Sequence, residues 1–123
     1  MKYGYFNAFI TDIQESVPEK TDELKAFASE IIIDTMATRE NLLALLEKLQ
    51  PEDIIYVHNF TRFSSGLRDL VDLIHIIVNE KKAALISLHD DFDSSTPEGK
   101  SKIAAFETAV PLINTDPNYG FYK

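Results

Sequence analysis

At 123 residues the chain has room for one domain built on one core. An apolar content of 45% and an aromatic content of 11% exclude disorder. Zero cysteines exclude disulfides and thiolate metal sites. The formal charge of −8, from 20 acidic and 12 basic residues, excludes a broad electrostatic pull on nucleic acid, which comes from Lys and Arg neutralising phosphates. No apolar run approaches the ~18 residues of a membrane span and the start shows no signal-peptide pattern, so a cytoplasmic protein without a membrane partner is expected.

Residues 2–7, KYGYFN, read as a short aromatic strand extending toward Ile10. Alternation puts Tyr3, Tyr5 and Asn7 on one side and Phe6 and Ala8 on the other. A polar loop from Thr11 to Pro18 follows, then a short helix begun near Thr21 or Asp22 that holds Ala26, Phe27 and Ala28. Ile31, Ile32 and Ile33 are β-branched in a row and predict the second strand, with Asp34–Thr38 as a loop. Thr38 is read as the cap of the next helix, whose stripe is Leu42, Leu43, Leu45, Leu46 and Leu49 and which Pro51 ends.

Ile54–Val57 is a near-continuous apolar strand, and its turn Phe60–Gly66 leads into a helix marked by Leu67, Leu70, Val71, Ile74, Ile77 and Val78. In open α/β sheets ligands sit at the carboxyl ends of strands, so this turn is the first place to look for function. Ala83–Leu88 is the fourth strand and His89–Ser95 an acidic loop. Ser95 or Thr96 caps a last helix with Ile103, Ala104, Phe106 and Ala109 inward, ended or kinked by Pro111. The tail from Asn114 to Lys123 has no clear period. The alternation predicts an α/β fold of three layers: a mainly parallel sheet of four to five strands with helices on both faces.

The central stretch resembles the catalytic domain of the serine recombinases, the resolvases and invertases, in which a strand leads through a Leu-Asp-Arg-Leu-Gly-Arg-Ser-like turn into a helix. Here that turn reads Phe60-Thr61-Arg62-Phe63-Ser64-Ser65-Gly66. Gly4-Tyr5 matches the family's first strand, Gly-Tyr-x-Arg-Val-Ser-Thr, and Arg39 matches the arginine before the second helix. Asp53 matches the aspartate before the third strand, and Asp93–Lys100, DSSTPEGK, resembles Asp-Thr-x-Thr-Pro-x-Gly-Lys. The resemblance spans about Met1 to Lys100 and implies the same architecture.

The resemblance also implies what is missing. Family members attack a phosphodiester with serine and hold the developing charge with guanidinium groups. The nucleophile position falls on Phe9, an arginine position on Asn7, the aspartate of the turn on Thr61 and its second arginine on Ser65. Losing a nucleophile alone costs on the order of 10⁶ in rate. The expected function is therefore a catalytically inactive domain associated with DNA recombination. It would act as an oligomerisation or regulatory module, as a homodimer or in association with an active recombinase.

The dimer contact is expected on the last helix, at Ile103, Phe106 and Val110, with weak or no DNA binding by this chain alone. One domain over 1–123, with no helix-turn-helix, is expected. Two other readings are carried: an active recombinase domain whose nucleophile has moved to Ser64 or Ser65, and an anion-binding α/β domain using Arg39 and Arg62. Those two arginines otherwise serve as ion pairs, for instance with Asp34 or Asp53. The acidic run His89–Asp93 lacks calcium-loop spacing. His58 and His75 read as isolated, and no metal or cofactor is assigned.

Overall fold

The computed structural model describes residues 1–8, 17–35 and 38–113. Its centre is strand β1 (Lys2–Ala8), buried from Tyr3 onward. Tyr3 and Tyr5 enter the larger core, while Phe6 and Ala8 enter a smaller one on the opposite face. The alternation read from KYGYFN is therefore the alternation the fold uses.

Around β1 stand β2 (Glu30–Thr35), β3 (Ile54–Val57), β4 (Ala84–Ser87) and β5 (Phe92–Asp93), in the order β2-β1-β3-β4-β5. The first four are parallel, and β5 is antiparallel to β4. The two residues of β5 lie in the stretch read as a loop. Phe92 is held there by the core, against Phe60 and Phe106 at ring centroid distances of 5.3 and 6.3 Å.

Helix α1 (Val17–Lys25) covers one face, with Leu24 fully buried beside Phe6, Ala8 and Tyr56. Gly4 permits this packing. A Cβ there would lie 2.7 Å from Ile31 Cδ1 and 3.2 Å from Leu24 Cβ. Helix α1 starts earlier than Thr21 or Asp22, and Ala26, Phe27 and Ala28 lie past its end. The N–H groups of Phe27 and Ala28 both reach back to the Leu24 carbonyl, closing the last turn. Phe27 is exposed and stacks on Tyr56 at 5.3 Å.

Helices α2 (Glu40–Lys48), α3 (Leu67–Ile74) and α4 (Pro97–Ile113) contribute Leu42, Leu45, Leu70, Ile74, Ile103 and Phe106 to the core on the other face. This gives three layers. Leu43 of the expected stripe and Ala104 of the last helix are instead exposed. Past Ile74 the helix widens over His75–Glu80, where Lys81 N–H donates to Ile76 O at 2.9 Å, an i→i+5 bond. Helix α4 runs through Pro111 to Ile113 rather than stopping at the proline. So near the end of the helix, the lost N–H costs only one late bond.

Thr96, not Ser95, caps α4: its hydroxyl accepts from Gly99 N–H at 3.0 Å and donates to Asp93 O at 2.8 Å. The Asp93-to-Lys100 motif is thus a capping device that ties α4 to β5. Among the described residues no helix is long and apolar enough to cross a membrane. Phe9, the Thr11–Pro18 loop up to residue 16 and the Asn114–Lys123 tail lie outside the described residues.

Candidate functional site

The strand order reverses at β1, between β2 and β3, so the carboxyl ends of these strands form the crevice where α/β sheets place their sites. On the α2/α3 face of this edge lies one polar network. Asp34, at the end of β2 and buried, is its hub. Its Oδ2 accepts from Tyr5 OH at 2.8 Å and from Leu42 N–H at 3.0 Å, and its Oδ1 accepts from Asn41 N–H at 3.0 Å. The carboxylate therefore caps α2 from the neighbouring strand. Thr38, expected in that role, donates instead to Thr35 O at 2.8 Å, and Arg39 occupies the cap position without a side-chain cap bond. Burial, then the bond to Asp34, pushes the Tyr5 phenol far up, so it stays a donor across the working range.

Asn7 joins this network through structural bonds. Its amide donates to Thr38 O at 3.0 Å and to Tyr5 OH at 3.4 Å. Arg39 pairs neither with Asp34 nor with Asp53. Its guanidinium grips the Asp69 carboxylate of α3 through two bonds, one at 2.9 Å from Nη1 to Oδ1 and a shorter one from Nη2 to Oδ2. Asp69 Oδ2 also accepts from Ser65 N–H at 2.9 Å. The fork-to-fork pair ties the start of α2 to the first turn of α3. Asp53 is engaged by Gln50 N–H at 2.8 Å and by the amino group of Met1 at 3.0 Å.

Burial alone would raise the Asp69 carboxyl. The Arg39 and Ser65 bonds outweigh it and hold the group below the usual carboxylate range. A depressed folded pKa contributes stability that is complete above the unfolded value of about 3.9 and is lost as pH falls through the lower folded value. Asp69→Asn is therefore expected to be less stable than the wild type at neutral pH, with a flatter acid limb below about pH 4. Urea unfolding at a series of pH values measures this, and parallel acid limbs would refute the assignment.

Arg62 serves other partners: its guanidinium sits 5.5 Å from the centre of the Phe6 ring, on the face away from Tyr5. The structure thus does not unite Arg39 and Arg62 on one face of β1. In the turn, Thr61 is exposed and donates to Asn59 Oδ1 at 2.8 Å. The Ser64 hydroxyl is buried and donates to Phe60 O at 3.1 Å, and Ser65 is exposed. Asp90 accepts from Phe60 N–H at 2.7 Å and Ser87 Oγ at 2.6 Å, and Asp93 from Ser95 N–H and Oγ. Asp90 and Asp93 thus each hold one backbone N–H and one serine hydroxyl.

Of the last-helix positions, Phe106 packs inward against Phe60 at 6.0 Å, Ile103 packs on the same core, and Val110 is half-buried.

His58 is not isolated. It meets His89 and Glu23 on the α1 face of the same strand edge, with their ligating atoms within 4.8 Å of one another. His58 follows β3 and His89 lies just past β4, so the parallel pairing Val57↔Ser87 brings them together. The signal was the shared position of two histidines relative to neighbouring strand ends, which requires knowing that those strands pair.

Residues 10–110 match the family described as Resolvase, N terminal domain. The chain belongs to the resolvase family. This resolvase-family domain is 33% identical over 94 residues to the Transposon Tn1546 resolvase of Enterococcus faecium, a match covering 72% of the chain and 48% of that protein. The domain thus spans about half the length of that curated relative. Its fold is that of a resolvase family site-specific recombinase from Streptococcus pneumoniae, with TM-score 0.78 and 18% identity over 94% of this chain and 88% of that one. It is equally that of the N-terminal catalytic domain of TP901-1 integrase, with TM-score 0.73 and 20% identity over 97% of this chain and all of the other.

Proposed function

We propose that this resolvase-family domain takes part in DNA recombination without cutting DNA, as a self-associating or regulatory partner of an active recombinase. The observation that carries this reading is the state of the positions where the family keeps its charge. Asn7 stands at an arginine position and spends its amide on Thr38 O and Tyr5 OH. Arg39, the surviving guanidinium before α2, is neutralised by Asp69 through a bidentate pair. Phosphoryl chemistry needs guanidinium groups free to meet charge building on the reacting oxygens. Phe9, at the nucleophile position, has no attacking atom.

A nucleophile moved to Ser64 finds no support, since that hydroxyl is buried and committed to Phe60 O. Association through α4 remains part of the proposal, with Ile103 and Phe106 serving first to hold α4 on its own core. The net charge of −8 supports weak DNA binding, no tighter than a non-specific ~10⁻⁴–10⁻⁶ M at physiological salt.

The test is a suicide DNA substrate given to the chain alone, to an active family member, and to mixtures of the two. The chain alone is expected to form no covalent adduct, and the mixtures to show a changed rate of adduct formation by the active partner. A phosphoserine adduct on this chain, or a partner rate untouched at every mixing ratio, defeats the proposal.

A further inference from the structure

The cluster of Glu23, His58 and His89 lies on the face of β1 opposite the Asp34 network and serves no part of the function proposed above. Its assembly is built into the sheet. His89 N–H donates to His58 O at 2.9 Å, carrying the pairing of β3 and β4 one step past the strands. The two rings then lie 4.1 Å apart and inclined by 35°. His58 is partly buried and packs T-shaped with Phe6, their ring centres 6.3 Å apart. From α1, Glu23 brings Oε1 to 2.7 Å from His89 Nε2 and 3.7 Å from His58 Nε2.

We propose that Glu23, His58 and His89 form a binding site for a divalent transition-metal ion of the zinc class. Two imidazole nitrogens and one carboxylate oxygen are a donor set such ions favour, and a three-ligand set leaves a fourth position for water or an outside ligand. An ion about 2.0–2.1 Å from each donor in tetrahedral geometry sets the donors roughly 3.3 Å apart. The two separations from Glu23 Oε1, 2.7 and 3.7 Å, bracket that spacing, and all three ligating atoms lie within 4.8 Å of one another. His89 is half exposed, which gives the ion a way in.

One neighbour works against ligation. Binding through His58 Nε2 leaves the ring proton on Nδ1, which faces the Asn59 amide nitrogen at 3.2 Å. Asn59 cannot simply turn over, because its Oδ1 accepts from Arg62 N–H at 3.0 Å and Thr61 Oγ at 2.8 Å. Asn59→Asp removes the conflict. One aspartate oxygen accepts from Nδ1–H while the other keeps the Arg62 bond. Outer partners of this kind are worth about 10–100-fold in metal affinity.

The experiment titrates the full, tag-free chain with cobalt(II), read by its visible absorption, and then displaces the cobalt with zinc. One equivalent is expected to bind with the intense bands of low-coordinate cobalt. His89→Ala, at an exposed position that the core does not need, is expected to weaken binding about tenfold or more, and Glu23→Gln likewise. Asn59→Asp is expected to tighten it about tenfold. His75→Ala, which alters a histidine paired with Glu107 on the other face at 3.3 Å, is expected to change nothing. Absence of saturable one-to-one binding overturns the site. So does a His89→Ala variant that binds as tightly as the wild type, or an Asn59→Asp variant with unchanged affinity.

Discussion

Asp34→Ala is expected to be among the most damaging single changes in this domain, lowering stability by about 3–4 kcal/mol. The reason is that one carboxylate serves three buried or half-buried donors: Tyr5 OH, Asn41 N–H and Leu42 N–H. Loss of a helix cap alone costs about 1 kcal/mol, and each buried group left without a partner about 1–3 kcal/mol. Partial access of water to Asn41 keeps the total below the sum. The Tyr5 phenol would be stranded in the core, so Tyr5→Phe on the Asp34→Ala background is expected to recover about 1 kcal/mol. Urea unfolding of the two single variants and the double variant measures both claims. A loss under about 1 kcal/mol for Asp34→Ala would mean the cap is redundant.

The second large effect is expected at Gly99. Replacing a glycine inside a helix with alanine ordinarily stabilises by about 0.4–1 kcal/mol. Here the sign is expected to reverse, with a loss of about 3 kcal/mol. An added Cβ would lie 1.8 Å from Asp93 O and 2.6 Å from Asp93 C, both backbone atoms that no rotamer change can move. Relief requires the first turn of α4 to lift off β5. That breaks the Thr96 bond to Asp93 O and loosens Phe92 against Phe106. Thermal unfolding of Gly99→Ala reads the sign directly, and a gain in stability would refute the close approach.

These two residues show what a single sequence carries and what it does not. The alternation in KYGYFN, the apolar run Ile54–Val57 and the helical spacing from Leu67 to Ile74 act locally, and the fold uses each as read. Gly4-Tyr5, Arg39, Asp53, the turn at Phe60 and the Asp93–Lys100 motif, taken in order, carried the resolvase resemblance that the family match bears out. Capping by Asp34 was hidden because it acts on α2 from outside the cap position, which only the packing of β2 beside α2 explains. The Arg39–Asp69 pair joins residues 30 apart in sequence, and several carboxylates were equally good candidates on spacing alone. Strand β5 has two residues and no period to read; its existence depends on Phe92 finding Phe60 and Phe106. The histidine pair at the strand ends was invisible for the same reason, since it is created by strand register.

The two margins of the sheet also differ in a way that matters for how the protein keeps in solution. On one side β4 is closed off by the short antiparallel β5. On the other, β2 pairs with β1 alone among the described strands and carries three consecutive half-buried isoleucines, Ile31, Ile32 and Ile33. A margin of that length and composition is a template on which a second chain can add a strand. Glu30 and Asp34 flank the isoleucines, but Asp34 is turned inward to its network, and Glu30 is bound to Lys48 at 3.0 Å. Local charge therefore guards this margin poorly, and the duty falls to the molecule as a whole. Its net charge of −8 keeps copies apart at neutral pH and vanishes near the sequence pI of 4.7. Mild acid thus removes that charge while the Asp69 carboxyl, held below the usual carboxylate range, still keeps its arginine, so self-association through this margin is expected to rise as pH falls toward 4.7.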